Sequence, residues 1–554
     1  MGRKNILNKK ILIAGFFLSV MLLVPINSAY SNISIKFDNK PINPSTRGNT
    51  LYVGGSGPGN YTKIQDAIED ASDGYTVFVY EETSPYYENI VIDKSINLIG
   101  ENKNTTIIDG KWDGNVVYIQ EYCDGVNISG FTIQNSGYDW NDTGILTYSS
   151  YNNIIGNIIS NNYRGIQPHY TTRYNNIIDN KISKNHYGIY IHSRYNNITN
   201  NTISNNSIGI ESFSNKTSFL YNNISNNYNI GLDIAGSNNL ILNNIFSNNL
   251  NGMRIFKSNN TISENFFFND GIFVSYSYLH NIVRNNTVNG KPIVYFEHEL
   301  DSIIDYDAGQ IILLNCNNIT INKQNLSKSN IGIQLQNTHD CIISNNIIKM
   351  NNEYGMYLVD SSRNTIISNN IRFNNQCGIS IKQGSKNNIN INNISSNEIG
   401  IYFYNTNFNN IEKNKIEFNS LSGIFFSYSN SNKIIGNIIS DNSFGGNGIR
   451  LQKSRYNIIS KNNLSKNRIG ISILDYNQYS SLAFSMNIIK KNNFLNNKKD
   501  TSFLGSIWNF WMANYWNESR NLPKPIFGLI EIFHNIFIKW LNIDWHPAKE
   551  PYDI

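Results

Sequence analysis

Apolar side chains recur along this chain in short runs that alternate with polar ones, and the runs are separated by corners rich in Asn. The stretch "GIYIHSRYNNITNNTISNNSIGI" (188–210) begins and ends on the same Gly-Ile pair. Gly followed by Ile, Leu or Met stands at Gly144, Gly165, Gly188, Gly209, Gly231, Gly252 and Gly271, and again at Gly332, Gly355, Gly378, Gly400, Gly423, Gly448 and Gly470. By subtraction the steps are 21, 23, 21, 22, 21 and 19, then 61, then 23, 23, 22, 23, 25 and 22, a period of about 22 residues. The first and third residues after each Gly are nearly all apolar, as at Ile189 and Ile191 or Leu232 and Ile234, which is strand alternation. A second signature, Asn-Ile-x-x-Asn-x-Ile, follows in "NITNNTI" (197–203) and, varied, in "NIIGNII" (153–159), "NIEKNKI" (410–416) and "NIISKNNL" (457–464). Short strands with Asn corners predict three strands per coil, since Asn tolerates left-handed backbone and hydrogen-bonds its own turn. Asn and Gly at this density oppose helix, and no 3.6-residue stripe runs through the repeats. A unit with one apolar face cannot bury it alone, so the coils must stack into a parallel all-β solenoid. Asn153, Asn176 and Asn197 are expected at equivalent bends, as side-chain ladders along the axis.

The register also defines outward columns. Two places after each Gly the chain reads Leu146, Gln167, Tyr190, Glu211, Asp233, Arg254 and Phe273; four places after, Tyr148, His169, His192, Phe213, Ala235, Phe256 and Ser275. Column neighbours should lie about 4.8 Å apart, which stacks His169 on His192 and lines up Glu211, Asp233 and Arg254. Two adjacent carboxylates raise one another's proton affinity, so Glu211 and Asp233 are the candidate acid and base. Tyr190, His192, Phe213, Arg254 and His169 are the candidate ligand-binding groups, because aromatic faces suit sugar rings. The plainer reading of the same residues is an exposed charge ladder on a strand surface where aromatics are common.

Residues 51–110 differ. Thr62 and Gln65 are spaced as a capping box, and Ile64, Ala67, Ile68 and Ala71 give one apolar face to a helix over 63–72. Such a helix can plug the open end of a solenoid. "YTKIQDAIEDA" with "ENIVIDKSINLIGE" closely resembles the opening of pectin-lyase-like proteins, which implies a right-handed parallel β-helix. The later coils resemble the NosD-type repeat, grouped with carbohydrate-binding proteins and sugar hydrolases. That resemblance spans about residues 50–516 and includes the interruption at "NTVNGKPIVYF" and "DAGQIILLNCNNITI" and the ending Asn514-Tyr515-Trp516. It implies a fold more firmly than an activity. Pro168-His169 resembles part of the Asp-Pro-His-Asp signature of alginate epimerases, but Gln167 and Tyr170 replace both acids. The Asp-Asp, Gly-His-Gly and Arg-Ile-Lys elements of β-helix polygalacturonases and the calcium-binding Asp set of pectate lyases are not evident.

The NosD resemblance also implies a possible role in copper loading, yet the eight His and seven Met are spread without convergence apart from His169 and His192. No metal site and no cofactor are expected. A net charge of +5 with 15% charged residues is diffuse, so no nucleic-acid partner is expected. Cys341 is expected at the corner that Asn318 occupies one coil earlier, with Cys316 and Cys377 off that column, so buried thiols are favoured over bridges. Arg3, Lys4, Lys9 and Lys10 before "ILIAGFFLSVMLLV" (11–24), with Ser28 and Ala29 after it, read as a secretory leader over 1–30. Membrane contact follows only if that leader stays uncleaved.

The expected layout is a leader at 1–30, a linker at 31–50, a cap and first coils at 51–110, and repeats at 111–507 with an irregular segment near 285–330. A helical or irregular cap follows at 508–554. The whole reads as an exported cell-surface protein, saccharide-binding or structural, whose partner is a polysaccharide or surface glycan. The alternatives are a polysaccharide lyase, hydrolase or epimerase working on the Gly-Ile face, and a NosD-like accessory protein for metalloenzyme maturation.

Overall fold

The computed structural model describes residues 49–275, 280–442, 446–475, 483–533 and 536–554. The expected leader at 1–30 and all but the end of the linker lie outside the described residues. From Thr50 onward the chain is built almost wholly of short strands paired in parallel with their counterparts one coil away. The Gly-Ile strands Arg164–Pro168, Tyr187–Ile191, Ile208–Ser212, Ile230–Ile234 and Asn251–Ile255 stack in that order. Ile189 pairs with Ile210 and Ile210 with Leu232, all fully buried, so the first and third positions do face inward. The Gly itself is set by close approach: a Cβ on Gly188 would lie 2.4 Å from the carbonyl oxygen of Gly209.

The corners differ from expectation in one detail. Asn153, Asn176 and Asn197 begin strands rather than forming bends, and share a half-buried outer ladder in which Asn176 Nδ2 donates to Asn153 Oδ1 at 2.8 Å. The bends are held by the buried Asn one place earlier and by two more at five-residue spacing, such as Asn196, Asn201 and Asn206. Each follows a residue in left-handed conformation: Tyr195 (φ 59), Asn200 (φ 57) and Asn205 (φ 57). The side chain then satisfies backbone groups that a buried corner would orphan. Asn201, for example, donates to the carbonyls of Ile177 (2.8 Å) and Thr199 (3.1 Å) and to Asn222 Oδ1 (3.0 Å).

The capping helix runs Ile64–Asp70 and buries Ile64, Ala67 and Ile68 against the first coils. Its expected capping box does not form. Lys63 is the N-cap residue, the Glu88 carboxylate accepts the backbone N–H groups of Ile64 (2.9 Å) and Gln65 (3.0 Å), and the Gln65 side chain accepts from Val91 N at 2.9 Å. A carboxylate from the neighbouring coil does the work that a local Thr would have done.

The interruption divides the coils into two stacks with separate cores. Thr287–Val288 turns back antiparallel against Lys291–Glu297, which starts the second stack. The next strand, Gln310–Leu314, is buried throughout: Ile312 and Leu314 enter the first core, Ile311 and Leu313 the second.

The stack continues past Ile507, since Phe510–Met512 pairs with Ile488–Lys490 and Tyr515–Trp516 with the strand Asn493–Leu495. The C-terminal cap is not helical. Lys524–Phe533 and Ile536–Asp544 form an antiparallel hairpin that buries Ile526 and Ile530 in the second core. Its alternation of exposed Phe527 and Leu529 with those isoleucines is a strand pattern. Cys123, Cys316, Cys341 and Cys377 are free and buried. Cys341 Sγ accepts from Ile319 N at 3.4 Å, so its neighbour in the corner column is Ile319, one place on from the Asn318 expected from sequence. Among the described residues no helix is long and apolar enough to cross a membrane.

Candidate functional site

The outward column follows the expected order. Tyr190 pairs with Glu211, Glu211 with Asp233, Asp233 with Arg254, and Arg254 with Phe273. Asp233 is buried and ion-paired to Arg254 Nη2. Glu211 Oε2, Asp233 Oδ1 and Arg254 Nε are buried without a hydrogen-bond partner in the protein. Burial, and next the charge of Asp233, push Glu211 above the usual carboxylate range, with Arg254 and Arg164 pulling the other way. Burial also raises Asp233, opposed by its hydrogen bond to Arg254. Each acid keeps one buried oxygen without a partner, and they differ in that the other oxygen of Asp233 sits on the Arg254 guanidinium.

The histidines do not stack as expected. His169 lies on Tyr148, with ring centroids 3.9 Å apart, and His192 lies on Phe213 at 4.5 Å. Each imidazole takes the nearest aromatic face in its column instead of the other imidazole, which would set two protonatable rings against one another. Burial lowers the pKa of both; for His192 the nearby Arg164 and His169 add to it. Neutral rings stacked on aromatics make an apolar surface with a polar edge.

His169, Tyr190 and His192 do come together, on the wall of a cavity of about 630 Å³ that Tyr118, Trp140, Tyr148, Tyr170 and Arg164 also line. Phe213, Glu211, Asp233 and Arg254 continue from it along the same face. Sequence reasoning missed Arg164. Parity counted back from Gly165 turns it inward, but the ladder pairs Arg164 with Tyr187 and Ile166 with Ile189 and skips the Gly, so Arg164 emerges outside. Its guanidinium carbon lies 3.9 Å from the Tyr190 ring centroid. Glu353 was missed too. It arrives from the second stack, accepts Asn251 Nδ2 at 3.2 Å, and lies close enough to Arg254 to feel its charge.

The fold defines a two-stack parallel β-solenoid with an aromatic and charged strip on one sheet. The NosD family model, described as periplasmic copper-binding protein, matches residues 42–255, 299–445 and 404–524, and the chain belongs to that family. Among solved structures it is similar to the periplasmic alginate epimerase AlgG, at 12% identity over 73% of this chain and 78% of that one, TM-score 0.33. It is also similar to the Azotobacter vinelandii mannuronan C-5 epimerase AlgE4 A-module, at 13% identity over 78% and 100% of the two chains, TM-score 0.23. The catalytic domain of a GH87 alpha-1,3-glucanase matches at 15% identity over 66% and 65%, TM-score 0.28. A comparison with curated protein sequences gives no match.

The family description names copper, a soft ion that needs convergent His, Met or Cys donors. Among the described residues no three His, Cys, Asp or Glu side chains converge on one point. Burial pushes the thiols of Cys341 and Cys377 up to about 12, which opposes the thiolate a soft metal needs. The described His, Cys, Asp and Glu do not form a copper site.

Proposed function

We propose that this protein is exported and binds saccharide on the Gly-Ile face of its first stack. The aromatic cavity carries the reading: Tyr118, Trp140, Tyr148 and Tyr190 offer ring faces around a space of about 630 Å³, with polar edges from His169 and His192. Pyranose rings bind through apolar faces and peripheral hydroxyls, and a site on rigid strands takes them with little reorganisation. The basic and apolar leader in the sequence and the periplasmic description of the family support export. A glycan-array screen of the full-length chain should return hits that Tyr190→Ala weakens about tenfold or more. A folded protein that binds no glycan on the array would make the solenoid a structural element.

A second reading, polysaccharide cleavage or epimerisation, rests on the pairing of Glu211 with Asp233. Burial raises both acids and each keeps one unpartnered oxygen, but the Arg254 guanidinium on Asp233 favours its charged form, which suits Glu211 to hold the proton. Product analysis of array hits decides it. Catalysis requires Glu211→Gln and Asp233→Asn each to abolish turnover with binding retained; a wild type that releases no product leaves binding alone.

A further inference from the structure

Arg164 is only 6% exposed, yet it lines the cavity, and no carboxylate lines that wall or ion-pairs with it among the described residues; Glu211, two strands along the face, is near enough only to feel its charge. Nη1 donates to Gln167 Oε1 at 2.7 Å, while Nε is buried with no hydrogen-bond partner in the protein. The ring of Tyr190 covers the guanidinium at 3.9 Å, and Trp140, 68% exposed at the rim, lies 5.9 Å away. A buried cation with an unused donor is costly unless a ligand supplies an anion. The guanidinium is planar and presents two parallel N–H donors along its Nε edge, which match the two oxygens of a carboxylate.

Resting on the saccharide reading, the geometry points to a uronic-acid residue as the sugar in this cavity, its carboxylate on Arg164 and its ring against the Tyr190 and Trp140 faces. The neighbouring column supports the orientation. Beyond Tyr190 the column continues to Glu211, an acid and not a cation, so an acidic sugar is drawn to the Arg164 end. Neutral His169 and His192 leave Arg164 as the cation that selects.

The test is calorimetric binding to the full-length chain of three tetrasaccharides: a uronate oligomer, the same oligomer with its carboxyls reduced to hydroxymethyl groups, and the reduced oligomer bearing sulfate half-esters. The uronate should bind about tenfold or more tighter than the reduced form, a preference that shrinks with salt. Arg164→Gln should equalise the two. Gln167→Glu, which offers Arg164 an internal carboxylate, should do the same and carries the decision if Arg164→Gln fails to fold. If uronate and reduced oligomer bind equally to wild type and Tyr190→Ala weakens both, the saccharide reading stands and the uronate inference is wrong. Binding of the sulfated form without the uronate overturns the carboxylate assignment. If a folded wild type binds none of the three and no other glycan, both readings fail.

Discussion

Gln310 hydrogen-bonds both backbone groups of Ile272: the Ile272 N–H donates to Oε1 at 2.9 Å and Nε2 donates to the Ile272 carbonyl at 2.7 Å. Ile272 belongs to the last Gly-Ile strand of the first stack, where another coil would otherwise supply those bonds. Gln334 repeats the arrangement on Val274, accepting its N–H at 3.2 Å and donating to its carbonyl. The side-chain amide has the donor and acceptor of a peptide, so two glutamines from the second stack close an open sheet edge.

Gln310→Leu should therefore strip two partners from a buried strand. The expected loss is roughly 2–4 kcal/mol, from two orphaned backbone groups. Gln452→Leu, on the outward column of the second stack, should stay within about 0.5 kcal/mol. Denaturant titration of the two variants checks this, and equal losses would mean that the Gln310 amide is not closing the edge.

The inner Asn ladders make a second prediction. Asn222 donates from its backbone to Asn244 Oδ1 at 2.9 Å and from Nδ2 to the Ile198 carbonyl at 2.8 Å, and its Oδ1 accepts the backbone N–H of Asn201 at 3.0 Å. Asn222→Leu removes the last two together and forces a branched chain into a corner, so a loss of roughly 3–5 kcal/mol is expected. Asn205 is exposed in left-handed backbone (φ 57), and Asn205→Gly should be nearly neutral. Thermal unfolding of the pair separates the structural Asn from the merely permitted one.

The fold was legible because its signal repeats: Ile189 and Ile191 face inward for the same reason as every equivalent pair, and the column from Glu211 to Arg254 follows by counting. The five-residue spacing of Asn196, Asn201 and Asn206 was also in the sequence, obscured by the equally frequent Asn beside each. Arg164 and Glu353 were not legible. The first is turned outward by a break in alternation at Gly165, and the second reaches Asn251 across 102 residues of chain. The C-terminal hairpin was not legible as a hairpin because the segment carries no coil motif, and the alternation that marks its strand is only five residues long, Ile526 to Ile530, with a Gly in its middle.

The hairpin has a measurable role. Asp544 is fully buried and its carboxylate accepts from Ala513 N (3.0 Å), Asn514 N (2.9 Å), Asn514 Nδ2 (3.1 Å) and Trp516 Nε1 (3.1 Å), ending the corner ladder that runs through Asn492. Asp544→Leu leaves those donors buried without an acceptor. It should release the hairpin, shift the emission of Trp511 and Trp516 toward that of exposed indole, and open the segment after Trp516 to protease. Deleting 518–554 should go further and cause aggregation, seen by light scattering, through the uncovered strand edges. A truncated chain that stays monodisperse and melts unchanged would remove the hairpin from the stabilising structure.

Asp270 gives the protein a pH-dependent weak point. It stands where the preceding coils of the same ladder carry Asn227 and Asn249, accepts Asn249 Nδ2 at 2.7 Å, and leaves Oδ1 buried without a partner. Burial raises its pKa to about 8. Because the folded value lies above the unfolded one, the folded state holds the proton more tightly, and stability is greatest below the ordinary carboxylate range. Stability then falls as pH rises from about 4 and levels off above about 8, where the carboxyl is ionised in both states. The loss across that window is on the order of a few kcal/mol. Asp270→Asn keeps the shape, restores the amide found in the neighbouring coils and removes the titration. Melting temperatures of wild type and variant should therefore be close at pH 4 and diverge steadily toward pH 8, with the variant the more stable. Glu211, Asp233 and Glu353, also raised by burial, slope both curves alike, so the difference belongs to Asp270. Parallel curves would show that Asp270 is not held protonated by the ladder.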